Sequence, residues 1–495
     1  MARRAGLGGW VVLMLLLALV GPVGQAAGAD WVEARSAHFR LFQEGSAQQA
    51  VRRVRELEEL RALMMALVGP AAPHPGRAPL DLFVLPDIED PVTGATPPAG
   101  VAAIYRLSPG GAVVLARAKA LAGPGGEGVL RHEVAHHLLA ADWRHRYPAW
   151  YVEGVAEYLA TARFETQVIE HGRADPGRLA WLGRRPWLPP ERVLRWQGEV
   201  QGPAETALLY AQSWLLAHWL LRRPDGPQRL RAYLAAYTEG ADPVAAFRHH
   251  VDQDLATLNA RLWAYLRDPG RATYTRIPRA APPAIPVDVE PAASAPWLAA
   301  YVRLVHGLPA AGAAALPQTC SAPATCAFAR RVEALAEVRQ GDARRALALL
   351  DKLLDERPGD PELLQWRGEA RLKAEGAQEA ARADFRQALA TGPAGWRAVV
   401  PLIRSQAPAD LSTEDFARLA VAVADAPQAP ELRLLWAQAL ALAGRTETAV
   451  QVARSVGADV QGVFRPPRGA WLSVMGLEPA AHRTAPDPAG VPQRR

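Results

Sequence analysis

Apolar and polar positions change their period several times along the chain, and each change marks an element. "AHFRLFQ" (residues 37–43) alternates in steps of two, as a strand does, and residues 46–67 then space apolar side chains three and four apart, as one helix face requires. "PLDLFVLP" (79–86) is a short apolar run closed by prolines and reads as another strand. "VAAIYRLSPGGAVVLAR" (101–117) reads as two strands joined by a turn at Ser108-Pro109-Gly110-Gly111, the second being Ala112–Arg117. A glycine-rich loop, "GPGGEG", comes next. From Gly128 onward the spacing is helical, through "ETALLYAQSWLLAHWLL", "RLRAYLAAY" and "LATLNARLWAYLRD", and no further strand is expected. After Asp268 the composition turns to proline and alanine, which predicts a domain boundary and an extended linker over 269–296.

Beyond the linker the chain repeats itself. "GDARRALALLDKLLDERP" (from Gly341) matches "GAQEAARADFRQALATGP" (from Gly376) at an offset of 35, and "GRTETAVQVA" begins 68 residues after Gly376. "PELLQW" at Pro361 is echoed by "PELRLLW" at Pro430. The period and the placing of glycine, alanine and proline resemble tetratricopeptide repeats, with 394–429 as one degenerate copy. The resemblance implies an all-α solenoid over 297–460 whose concave side takes a protein partner. Residues 461–495 are expected to form a disordered tail.

Composition narrows the classes. With 495 residues, 50% of them hydrophobic, the chain can build two to four cores. The formal charge is +6, but the basic residues are scattered and not interleaved with aromatics in a stripe, so no nucleic-acid partner is expected. Arg3 and Arg4, an apolar run from Trp10 to Val20, a Gly21-Pro22 break and Ala27-Gly28-Ala29 have the layout of a signal peptide. Residues 1–29 are expected to be removed. The mature chain should then be exported to the periplasm or the medium, with no stable membrane insertion. Cys320 and Cys326 are the two cysteines, and an oxidising compartment lets them pair, although two buried thiols would leave the same sequence.

The chemistry concentrates in "LRHEVAHHLL" (130–139). On a helix His132 and His136 share one face beside Glu133, while Leu130, Val134 and Leu138 form an apolar stripe on the other side. His137 turns toward that stripe and reads as a packing residue or as one that supports a ligand from behind. This HExxH motif needs a third protein ligand, and the next segment, "YVEGVAEY" (151–158), offers Glu153 and Glu157.

The two segments together resemble the gluzincin metallopeptidases of the peptidase-MA-like superfamily, over roughly residues 30–268. The resemblance implies that His132, His136 and Glu153 hold Zn2+, with 16 residues between His136 and Glu153, which lies on a second helix opened by Pro148. Glu157, one turn after Glu153, is then placed to accept a hydrogen bond from the distal nitrogen of His132, and Gly154 would let the two helices approach. In such a site zinc lowers the pKa of a water toward about 7, Glu133 takes the proton, and a metal-polarised peptide carbonyl is attacked. Related enzymes steady the oxyanion with a tyrosine or histidine from a later helix, a role for which Tyr210 is the candidate and His218 and His171 compete. Strand Ala112–Arg117 is expected to hold an extended peptide by edge pairing.

The expected fold is thus α+β: a small mixed sheet with a helical zincin-like domain, then a tetratricopeptide-like solenoid. The expected function is an exported zinc metallopeptidase acting on a peptide or protein substrate. A non-catalytic envelope scaffold with structural zinc is the alternative, and a metallo-hydrolase acting on another bond is a third reading.

Overall fold

The computed structural model describes residues 31–458 except 69–77, 109, 124, 142–145, 269–273, 280–284, 310–315, 317–319, 321–322, 375, 407–410 and 428. The signal segment and the C-terminal tail lie outside the described residues.

The protein is a mixed α/β molecule, mostly helical, built on one small mixed sheet. β1 (Trp31–Arg35) and β2 (Phe39–Glu44) pair antiparallel, and α1 (Ala47–Val68) leads to β3 (Leu80–Leu85), which lies parallel to β2. β4 (Ala103–Ser108) and β5 (Gly111–Arg117) form a hairpin that adds β5 parallel to β3. The strand order is β4-β5-β3-β2-β1-β9, where β9 (Asp288–Pro291) closes the far edge against β1. The expected peptide-binding edge strand is therefore misplaced. β5 lies inside the sheet between β3 and β4, and the edge on that side is β4, because the hairpin after Ser108 folds β4 back onto the outside of β5.

Strands also return where none was expected. β6 (Arg163–Phe164), β7 (Val168–His171) and β8 (Thr275–Pro278) form a second, antiparallel sheet. Segments of two and four residues are too short to show a period. β8 and β9 both fall within 269–296, the stretch expected to be a free linker. Each is an edge strand that ends at a proline, the position where a sheet tolerates one.

Between the sheets run α2 (Ala118–Leu121), α3 (Glu127–Ala140), α4 (Ala149–Ala160), α5 (Pro176–Leu182), α6 (Pro190–Leu194), α7 (Pro203–Arg222), α8 (Gly226–Thr238), α9 (Pro243–His250) and α10 (Leu258–Arg267). After β9 come α11 (Ala295–Val305), α12 (Pro323–Gln340), α13 (Ala343–Glu356), α14 (Pro361–Lys373), α15 (Gln378–Ala390), a 3-10 turn at Pro393–Ala398, α16 (Val399–Arg404), α17 (Thr413–Asp425), α18 (Pro430–Leu442) and α19 (Thr446–Ala458). A disulfide between Cys320 and Cys326 ties the approach to α12 onto its first turns, with Cα atoms 5.1 Å apart. No helix among the described residues is long and apolar enough to cross a membrane.

The sheet is buried on both faces, and its alternation assigns each side chain to one core. Phe39, Leu41, Leu80, Leu82, Val84, Val114 and Ala116 pack with α1, α3, α4 and α7. Their neighbours Phe42, Phe83, Leu85, Val113 and Leu115 point the other way and share a core with α11 to α15. Phe42 and Phe83 stack at 4.7 Å, with Tyr301 of α11 and Phe328 of α12 leaning on them. The repeat-like helices are thus seated on the sheet itself and are not held away from it by a linker.

Charged residues cross the same interface. Arg40 reaches from β2 to Glu33 (2.7 Å) and to Glu362 of α14 (2.9 Å). Glu362 also accepts from Arg331 (2.7 Å) and from the Tyr301 hydroxyl (2.7 Å), and Arg397 reaches Asp81 of β3 at 3.0 Å. Burial disfavours the Glu362 carboxylate, but the surrounding arginines hold it well below the usual carboxylate range.

Candidate metal centre

α3 and α4 lie antiparallel, and small residues set their approach. A Cβ on Gly128 near the start of α3 would sit 2.8 Å from the Ala160 carbonyl oxygen at the end of α4. Gly154, expected to face the other zinc helix, instead faces α7: a Cβ there would lie 2.4 Å from the Ser213 carbonyl oxygen. Its consequence is to draw α7 and Tyr210 against α4. Pro148 is the N-cap of α4, with φ −69° and ψ 150°, so the helix proper starts at Ala149.

On α3, Leu130, Val134 and Leu138 are buried in the core, and His132 and His136 turn to the opposite side. Their Nε2 atoms are 3.0 Å apart, and Glu153 Oε2 lies 3.5 Å from His132 Nε2 and 3.6 Å from His136 Nε2. Among the described residues this is the cluster able to hold a metal ion. Three donors around a tetrahedral zinc stand about 3.3 Å apart for bonds of about 2.0–2.1 Å, and the observed separations bracket that spacing. Glu153 Oε2 is buried and has no hydrogen-bond donor, so the oxygen facing the two imidazoles is the one left unsatisfied. The residues present fit the ion.

Charge leads to the same conclusion. Burial alone would lower the His132 pKa, but the Glu153 carboxylate facing its ring and the charges of Glu133 and Glu157 raise it to about 9. Three carboxylates surround this position and call for positive charge. Glu153 itself stays ionised: burial opposes this, but His136, His132 and a hydrogen bond from Tyr210 outweigh it.

Glu157 is buried, with Oε1 3.5 Å from His132 Nδ1, on the side away from the metal position. Its stronger partner was not anticipated. Arg178 of α5 grips Glu157 with both arms of its guanidinium, Nη2 to Oε1 at 2.6 Å and Nε to Oε2 at 2.9 Å. The Arg178 guanidinium carbon lies 5.1 Å from the centre of the Tyr210 ring. A signal for it does exist in the sequence. Asp175-Pro176 is a helix start, and the Asp175 side chain accepts from the Arg178 amide at 3.1 Å. An arginine in the first turn opposes the helix dipole, which marks it as answering a carboxylate from elsewhere.

Tyr210 stacks on the His132 ring at 6.5 Å, with the planes 17° apart, and donates to Glu153. Burial and the three carboxylates push its phenol pKa up, so it remains a proton donor. Its two competitors are placed elsewhere. His171 Nδ1 meets the Tyr158 hydroxyl at 2.8 Å, and His218 Nδ1 meets the Tyr265 hydroxyl at 2.8 Å, both in aromatic packing outside the cluster. His137 is buried against Tyr105 of β4, with ring centres 5.8 Å apart, and burial lowers its pKa to about 3, so it packs as a neutral residue.

Compared with family models, curated proteins and solved structures, the chain matches none.

Proposed function

We propose that the protein is an exported zinc-dependent metallopeptidase, with His132, His136 and Glu153 as ligands. The observation that carries this reading is the cluster together with its surroundings: three converging donors at tetrahedral spacing, a carboxylate beside them on α3, and a phenol aimed at the third ligand. Zinc bound here supplies Lewis acidity toward a peptide carbonyl and toward water.

The chain's own residues do the rest. Glu133, half-buried between the two ligand histidines in sequence, takes the proton of the attacking water and delivers it to the departing amine. Tyr210 offers its hydroxyl to the oxygen that gains negative charge, and Arg178 beside its ring favours that charge. Glu157, held by Arg178, orients His132 through Nδ1. β4, the edge strand beside β5, lies against α3 through the Tyr105–His137 contact and is the strand open to an extended substrate.

The alternative, a scaffold with structural zinc, leaves Glu133 and Tyr210 without a task. The test is peptide-library cleavage by the wild type beside Glu133→Gln, with zinc measured in both. The expected result is unchanged zinc and a rate lower by roughly 10²–10⁴-fold. Cleavage that survives the substitution removes Glu133 as the base, and a wild type with zinc but no hydrolysis leaves the scaffold.

A further inference from the structure

The loop after α5 and the outer side of α10 carry an unusual surface. Arg184 lies over the Trp181 ring at 4.5 Å, and Arg185 lies over Trp263 at 4.1 Å and over Trp187 at 5.7 Å. Arg267 also lies over Trp263, at 5.8 Å, and the Trp187 and Trp263 rings meet edge to face at 5.7 Å. All three arginines are exposed, and none has a carboxylate within ion-pair distance among the described residues, while Asp268 next to Arg267 is already partnered.

This pattern restricts what can cover it. Single-stranded nucleic acid and sugar polymers stack on open indole faces. Here the Trp181 and Trp263 faces are overlaid by guanidinium groups, which leaves ring edges and cationic tips outward. At a bilayer surface the same arrangement is satisfied throughout: indoles settle at the headgroup level, and arginine stems lie along them with their charges toward phosphates.

We infer that the surface formed by Trp181, Arg184, Arg185, Trp187, Trp263 and Arg267 docks the protein peripherally on anionic phospholipid. The docking adds no membrane span. The surface shares α5 with Arg178, so if the chain is a metallopeptidase, the centre works beside a bilayer, on polypeptides held at or emerging from it; that consequence rests on the proposed peptidase activity.

The test is co-sedimentation of the full chain with vesicles of phosphatidylglycerol and phosphatidylcholine, against vesicles of phosphatidylcholine alone, at low and high salt. Each arginine near such a surface is worth roughly fivefold in partition, so the triple variant R184E/R185E/R267E is expected to bind about a hundredfold less. Trp181→Ala should weaken binding at high salt, where the apolar contribution persists. Binding to the anionic vesicles that the triple variant loses, with zinc content retained, establishes the surface. Absence of binding to anionic vesicles, or equal binding by the triple variant, overturns it. So does an oligonucleotide or a polyglutamate chain that binds in a charge-dependent way where vesicles do not. Glu133→Gln should bind vesicles as the wild type does, so loss of peptidase activity and loss of docking are read separately.

Discussion

Two buried charge clusters sit on opposite sides of the same six-stranded sheet, and they are built differently. On the side of the repeat-like helices, Arg40, Arg331 and Arg397 meet Glu33, Asp81 and Glu362. Three positive groups answer three negative ones, and apart from Nη2 of Arg40 and Nε of Arg331 the set is satisfied internally. On the side of α3 and α4, Glu133, Glu153 and Glu157 have one guanidinium, Arg178, among them. With His132 charged as its raised pKa implies, that cluster is still one positive charge short and keeps an oxygen of Glu153 bare. A network that balances itself holds parts together; one left in deficit has room for a further cation.

The contrast is broken most severely by removing a charge from the balanced side. Glu362→Ala should cost about 3–5 kcal/mol in denaturant unfolding, because it removes the buried carboxylate that Arg40 and Arg331 share and leaves them only Glu33 and Asp360. The folded fraction should still bind zinc one to one. Unfolding midpoints that match the wild type would mean that the network does not hold the helices to the sheet.

On the other side the effect should fall on the metal. Arg178→Ala releases Glu157 from its two-armed grip, and the expected loss is about 10–100-fold in zinc affinity, with little change in stability. Competition against a chromophoric chelator measures it. Arg178→Lys should restore the charge but not the two-point geometry, and so recover only part of the affinity. If Arg178→Ala holds zinc as tightly as the wild type, Glu157 does not act through His132.

The smallest effect tests a carboxylate outside both clusters, Glu58 on α1. Burial opposes its charge, but hydrogen bonds from His38 and Ser36 and the nearby Arg61 bring its pKa down to about 2, from 4.5. A carboxyl with a depressed folded pKa adds stability above its unfolded value, and that stability is lost as pH falls from about 4.5 through 2. Glu58→Gln should therefore cost about 1 kcal/mol at neutral pH and flatten the acid limb of the stability profile. A mutant whose stability falls with acid as steeply as the wild type would show that other groups set that limb.

Much of the centre was legible because helical spacing is local. His132, Glu133 and His136 follow from a period, and Glu153 from one motif a short distance on. Arg178 and the orientation of Gly154 depend on which helix lies across the way, and that is decided by packing over long separations. Strands suffered for a related reason. Long alternating runs such as β2 and the β4–β5 hairpin were readable, but β6 to β9 take their shape from the neighbours they pair with, and a proline-rich stretch concealed two of them. The repeat period was visible, but nothing in it told that its helices would lie on the sheet.

That last feature bears on how the chain can be divided. β9 is drawn from beyond Asp268 to finish the sheet beside β1, and the apolar residues on the far face of the sheet are covered by α11 to α15. A chain that looks like two exchangeable modules is, in its energetics, one body. Neither half is a cassette: a cut at the evident seam would strip a wall that both rooms share.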